Sequence, residues 1–413
     1  MSSVVRPFET RLRALSMALA VMVVLLSALA AAPAANGQTY KVLYNFTGGS
    51  DGGDPYGTLV QDKAGNLWGT TEQGGSSGYG TVFKLTKSGK ETVLYSFTGG
   101  ADGANPSAGL VLSGNTLYGT TECGGSGSGC SGGGGSGNGV VFELNINTGT
   151  ETVLYTFRGL DGAGPSTGLA LDDRGNLYGT TSTGGSTNYG VVFEVVPKTK
   201  KETMLHSFDW SDGAYPTSAR LNTTEEILFG TANAGGSSGA GVVFSLTIKS
   251  GTYTVLYSFT GYPDGEYPQG TLALDPKGNL YGTTDWGGDS GCDDYSGCGT
   301  VFEVVPKTKR ESVLYSFQGG TDGGYPHGGV IRDTKGQLYG TTGSGGDLSG
   351  CGGYGCGTVF EFVKVTESVL HSFDGSDGAY PSCGLLTDSK GNLYGTTPGG
   401  GSYGYGVVWE ITP

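Results

Sequence analysis

Residues 252–304 read TYTVLYSFTGYPDGEYPQGTLALDPKGNLYGTTDWGGDSGCDDYSGCGTVFEV, and the order of short apolar runs and breakers in this stretch decides the fold. Thr252–Phe259 alternates β-branched and aromatic residues with polar ones, the period of a half-buried strand. The loop GYPDGEYPQG follows, then a strand over Thr271–Leu274, a turn at Asp275–Asn279 and a strand over Leu280–Thr284. A glycine-rich loop leads to a fourth strand, Thr300–Val304. Gly, Asp, Asn and Pro punctuate every junction. No segment from residue 38 onward holds a helical period.

The same order of strands recurs seven times, most visibly in the aromatic-ended strand VLYNF at Val42, VLYSF at Val93, VLYTF at Val153, MLHSF at Met204, VLYSF at Val255 and Val313, and VLHSF at Val369. Starts are spaced by 51, 60, 51, 51, 58 and 56 residues. Repeats of this length built from four strands are propeller blades. Seven such strands and seven three-strand sets are present, offset by one strand, because the run opens on VLYNF and finishes on Gly406–Ile411. The first strand therefore completes the last blade, which removes two open sheet edges. The expectation is an all-β, seven-bladed propeller of four-stranded antiparallel blades over residues 38–413, with strand 40–46 paired to strand 406–412. With VLYxF as outer strand d and the next three strands as a, b and c, the d–a and b–c loops share one face. The a–b and c–d turns share the other, which carries Lys63, Arg174, Lys277, Lys335, Lys390 and Lys198–Lys201.

Residues 1–37 are a different polymer. Arg6, Arg11 and Arg13 precede an apolar run from Ala14 to Ala32 and a small-residue segment, the pattern of a secretory leader. The run is also long enough to span a bilayer uncleaved. The chain carries a net charge of −14, which argues against nucleic acid and anionic membrane surfaces as partners. Its 82 glycines recur at fixed repeat positions, as tight turns require. Six of seven cysteines form close pairs in b–c loops: Cys123 with Cys130, Cys292 with Cys298, Cys351 with Cys356. In an exported chain these read as local disulfides. Zinc is the competing reading, but these loops hold no His and no pair has knuckle spacing. Cys383 remains, in a strand-like Cys-Gly-Leu-Leu stretch, as a buried free thiol.

Every d–a loop contains Asp-Gly-x-x-Pro, starting at Asp51, Asp102, Asp161, Asp212, Asp264, Asp322 and Asp377. A residue needed in all seven blades serves a turn, with Asp bonding backbone two residues on. The Gly-Gly of each b–c loop lacks the following helix of a dinucleotide fingerprint, and no cofactor or metal is called. The paired carboxylates of a glycosidase cannot be singled out. Asp285, Asp289, Asp293 and Asp294 crowd one loop beside Trp286 and Tyr295 without EF-hand spacing. Of three histidines only His327 lies on the loop-rich face, while His206 and His371 replace Tyr in strand d. Tyr215, Tyr267, Tyr325 and Tyr380 share one d–a position in blades four to seven, near Trp210 and Trp286. Aromatic rings beside Asp, Asn and Gly suit stacking on a sugar plus hydroxyl hydrogen bonds, and suit loop packing equally.

With GNLYGTT, GTVFE and VLYSF together on the page, the repeat resembles the GloVer tandem repeat of exported bacterial proteins over nearly all of residues 40–413. More loosely, DxxGNLY resembles blades of NHL and sensor-domain propellers. The resemblance implies an exported bacterial propeller and brings no catalytic residue with it. Two functions follow as expectations. The first is a secreted, monomeric, non-enzymatic propeller that binds a glycan or an extracellular protein on its d–a/b–c face. The second is an extracellular glycosidase or lyase using acidic residues there.

Overall fold

The computed structural model describes residues 38–127, 137–289, 292 and 297–412. Seven antiparallel sheets form a ring, and the only helical element among the described residues is a single 3₁₀ turn at Cys351–Gly353. Blade five shows the pattern: strand a Glu266–Leu274, b Leu280–Trp286, c Thr300–Val305 and d Arg310–Ser316. Blade four has its inner strand split into Ala214–Pro216 and Arg220–Asn222, both paired to Ile227–Ala234. In blades one to six the c–d register slips by one residue, as between Val301 and Phe302, a bulge that twists the outer strand.

Closure follows the expected offset. In blade seven the order is Leu386–Thr387, Leu393–Thr397, Val407–Thr412 and then Thr39–Asn45. Phe46 N–H donates to Gly406 O (3.0 Å), and Ser402 N–H donates to Asn45 Oδ1 (2.8 Å). Blades then pack through one recurring contact. The Phe ending each strand d meets, edge-on, the ring in strand c of the next blade: Phe46 on Phe83 at 5.1 Å, Phe97 on Phe142 at 5.2 Å, and so on to Phe373 on Trp409 at 5.9 Å. All seven of these phenylalanines are fully buried. The Gly of each LYGTT strand makes room for the strand-c ring: a Cβ on Gly282 would lie 2.6 Å from Phe302 Cζ.

The seven Asp-Gly-x-x-Pro carboxylates reach back along the chain, which differs from the expected bond two residues on. Asp51 accepts from Tyr44 Oη (3.0 Å) and Thr47 N–H (2.9 Å), and Asp322 from Tyr315 Oη (3.0 Å) and Gln318 N–H (2.8 Å). His206 and His371 make the same bond to Asp212 and Asp377, at 2.9 and 2.7 Å. Disulfides join Cys292 to Cys298 and Cys351 to Cys356. Cys123 is also disulfide-bonded, while Cys130 lies outside the described residues. Cys383 is a buried free thiol, but strand a begins only at Leu386. Cys383 instead occupies the bend entering it, where its thiol donates to Pro55 O at 3.5 Å and burial pushes its pKa up to about 11.

Candidate binding site at the channel mouth

The inner strands surround a central cavity of about 680 Å³, lined from all seven blades. Two repeat positions shape its mouth. The residue after the d–a proline gives Tyr56, Ser107, Ser166, Thr217, Gln269, His327 and Ser382, all lining the cavity. The residue after each strand-b Thr-Thr or Thr-Ala pair gives Glu72, Glu122, Ser182, Asn233, Asp285, Gly343 and Pro398. At both positions the blades differ from one another.

The residue before that proline is left-handed in every blade: Asp54, Asn105, Gly164, Tyr215, Tyr267, Tyr325 and Tyr380 have φ between 54° and 64°. The backbone is held there by a bond across the blade seam. Tyr325 N–H donates to Cys298 O (2.8 Å), Tyr380 N–H to Cys356 O (2.8 Å) and, over the closing seam, Asp54 N–H to Tyr405 O (3.1 Å). Gly, Asn and Asp tolerate this conformation; a bulky Tyr is strained in it. Four blades thus hold a tyrosine, two residues before a cavity-lining position, against its backbone preference. The two described disulfides supply the carbonyls behind Tyr325 and Tyr380.

Blades five and six bring three side chains together. Asp285, at the end of strand b, is 5% exposed. Its Oδ2 accepts from Gln269 Nε2 at 2.5 Å, and its Oδ1 lies 2.8 Å from His327 Nδ1. The second contact is an ion-pair approach rather than a well-directed hydrogen bond. Burial works against a charged imidazole, but Asp285 outweighs it and holds His327 above its ordinary value. Beside this group Trp286, 39% exposed, lies 6.0 Å from Tyr267 and 6.3 Å from Tyr325 between ring centroids. A second aromatic group joins Trp210 to Tyr189 (5.4 Å) and Tyr189 to Tyr215 (5.9 Å). Tyr380 is exposed and lines the cavity, as does Tyr56.

Blades one and two carry a carboxyl arc. Burial, then the charges of Glu122 and Asp54, pushes Glu72 up to about 7; burial also raises Asp54 and Glu122. Glu72 lines the cavity, and neither it nor Tyr189 was among the residues singled out from sequence.

Of the expected site residues, the structure gathers Asp285, His327, Trp286, Tyr267 and Tyr325 in one place. Asp289 is not part of it. It lines an outer groove between blades four and five with Tyr257, Asp264 and Glu311. Asp293, Asp294 and Tyr295 fall outside the described residues. No group of three or more His, Cys, Asp or Glu side chains is placed to hold a metal among the described residues.

The pattern of the Gloeobacter/Verrucomicrobia repeat matches residues 32–225, 128–349 and 228–413. The chain belongs to this repeat family. No curated protein sequence matches it. Among solved structures, members of the propeller architecture align over most of the repeat array. An oligogalacturonate lyase in complex with manganese shares 13% identity over 92% of this chain and 94% of that one, with a TM-score of 0.59. The oligogalacturonate lyase of Vibrio parahaemolyticus shares 10% over 92% and 94%, with a TM-score of 0.55. Hydrazine synthase of Kuenenia stuttgartiensis shares 14% over 84% and 93%, with a TM-score of 0.56. At these identities the likeness is one of fold. Disulfides in this repeat-family member suit an oxidising compartment. No helix among the described residues is long and apolar enough to cross a membrane.

Proposed function

We propose that this chain is an exported, non-enzymatic propeller that binds a glycan across the mouth of its central channel. The carrying observation is the exposed Trp286 with Tyr267 and Tyr325, set beside the buried Asp285 and its half-buried partners Gln269 and His327. Flat rings supply a face for a sugar ring, and fixed polar groups next to them supply hydroxyl partners. The strained tyrosine backbone supports the reading, since strain of this kind collects at binding sites.

Hydrolase or lyase chemistry is the second reading, favoured by one observation: Glu72 keeps a proton to about pH 7 at the rim of the same cavity. A screen of glycan oligomers with product analysis separates the two. Binding with the oligomer recovered intact supports the first. Shortened oligomers or an unsaturated product support the second and sink the first.

A further inference from the structure

At each blade seam the Asp of Asp-Gly-x-x-Pro faces a residue near the start of the next blade's strand d. Five seams place a glutamate there and two place a tyrosine. Asp51 faces Glu91, Asp102 faces Glu151, Asp161 faces Glu202, Asp264 faces Glu311 and Asp322 faces Glu367. At the other two, Tyr253 Oη donates to Asp212 O (2.7 Å) and Tyr40 Oη to Asp377 O (2.8 Å). The exchange is not random. Glutamate follows blades whose strand d ends in Tyr-x-Phe, and tyrosine follows the two with His-x-Phe. There Tyr253 stacks on His206 at 3.8 Å and Tyr40 on His371 at 3.6 Å.

In all five glutamate seams one carboxyl oxygen, Oε1, is buried with no hydrogen-bond partner. Two ionised carboxylates so placed repel each other, and a buried unpaired carboxylate oxygen is costly. We propose that each of these five seams keeps one carboxyl proton, on the glutamate, in the closed ring, so that the propeller tightens in acid and loosens as pH rises through neutrality, while the two His/Tyr seams do not.

The groups facing each glutamate support this. Glu91 faces Asp51 and the Tyr44 hydroxyl; Glu311 faces Asp264 and Tyr257; Glu367 faces Asp322 and Tyr315. Glu151 also faces Tyr95 and Lys200, and Glu202 the Tyr155 hydroxyl and then Lys201; Lys200, Tyr155 and Lys201 favour ionisation without overcoming burial, and Glu143 adds its repulsion at Glu151. Burial first, then the facing Asp, raises Glu91, Glu151, Glu202 and Glu367 to about 7, and Glu311 to about 8. A carboxyl whose value is raised on folding leaves stability intact below its ordinary range and removes it as pH passes through the raised value. The loss therefore begins above the ordinary glutamate value of 4.5 and is complete by about pH 8. The seam Asp also anchors the loop that presents the mouth tyrosines: Asp264 precedes Tyr267 and Asp322 precedes Tyr325 by three residues.

Amide hydrogen exchange, corrected for intrinsic rates, tests this seam by seam in the whole protein at pH 5 and pH 9. Strand-d amides of blades one, two, three, five and six should lose protection at pH 9, while those of blades four and seven keep it. Glu311→Gln, which mimics the protonated acid, should abolish the alkaline loss at its own seam alone. Potentiometric proton uptake on refolding at pH 7.5 should fall for the same variant. Uniform loss across all seven seams, or an unchanged loss and proton uptake in Glu311→Gln, would overturn the proposal. If Glu311→Gln folds poorly, the seam-by-seam contrast in the unsubstituted protein decides it alone.

Discussion

Truncating Phe46 to alanine is the sharpest probe of how the ring is shut. Phe46 follows the N-terminal strand, is fully buried, and meets Phe83 and Tyr44 edge-on, each at 5.1 Å. Its counterpart Phe97 sits at an ordinary seam, equally buried, against Phe142 and Tyr95 at 5.2 and 5.1 Å. Removing a buried Phe side chain costs about 3–5 kcal/mol, part of it from the edge-on pairs, each worth about 0.5–1.5 kcal/mol. Whole domains are stable by only about 5–15 kcal/mol, so either change is easily seen. A closed ring makes the two seams equivalent, so Phe46→Ala and Phe97→Ala should each cost about 4 kcal/mol in urea unfolding followed by circular dichroism. Deleting residues 38–47 should cost more, because two sheet edges open as well. If Phe46→Ala cost under about 1 kcal/mol while Phe97→Ala cost about 4, the first strand would be a loose end and the closure wrong.

Other consequences are equally open to measurement. Tyr380→Gly relieves a left-handed backbone worth about 1–3 kcal/mol and adds about 0.5–1 kcal/mol of unfolded-state entropy, so stability should hold or rise while glycan affinity falls. A loss of stability would mean that this ring is needed for packing. Gly80→Ala should be destabilising by at least about 2 kcal/mol, since φ is +93° and a Cβ would lie 2.4 Å from Thr71 O; an unchanged melting temperature would contradict the seam geometry. Replacing Cys292 and Cys298 by serine should cost at most about 2 kcal/mol and weaken ligand binding through Tyr325, whose N–H rests on Cys298 O. Global unfolding would refute so local a role. Non-reducing peptide mapping checks these pairs and Cys123–Cys130 together.

Blade number, strand order and closure were legible because they rest on period, spacing and turn residues, which a linear sequence records directly. The mouth was only half legible. Asp285 and His327 stood out by type, but their meeting at 2.8 Å is made by the ring, which brings the end of one strand b against the loop entering the next blade's inner strand. Gln269 and Glu72 carry no distinguishing local pattern and acquire significance only from the axis they face. The left-handed tyrosines could have been read. Asp54, Asn105 and Gly164 hold the same position in blades one to three, and all three tolerate positive φ. The exchange of Glu for Tyr wherever His replaces Tyr was also readable, once strand d of one blade is set against that of the next. Asp289 lines a different groove from Asp285's neighbours, since closeness along the chain does not fix which surface a side chain joins.

The central claim is that sugar is held at the channel mouth beside Trp286. Four tryptophans report on it: Trp68 and Trp409 are buried, whereas Trp210 and Trp286 are 41% and 39% exposed. Intrinsic fluorescence titrated with neutral oligosaccharides should change and saturate in the unsubstituted protein, and the change should persist in Trp210→Phe. In Trp286→Phe it should disappear, with affinity in calorimetry falling about tenfold, the ~1.4 kcal/mol of one stacking contact. An unchanged response and affinity in Trp286→Phe would place the ligand elsewhere and contradict the account.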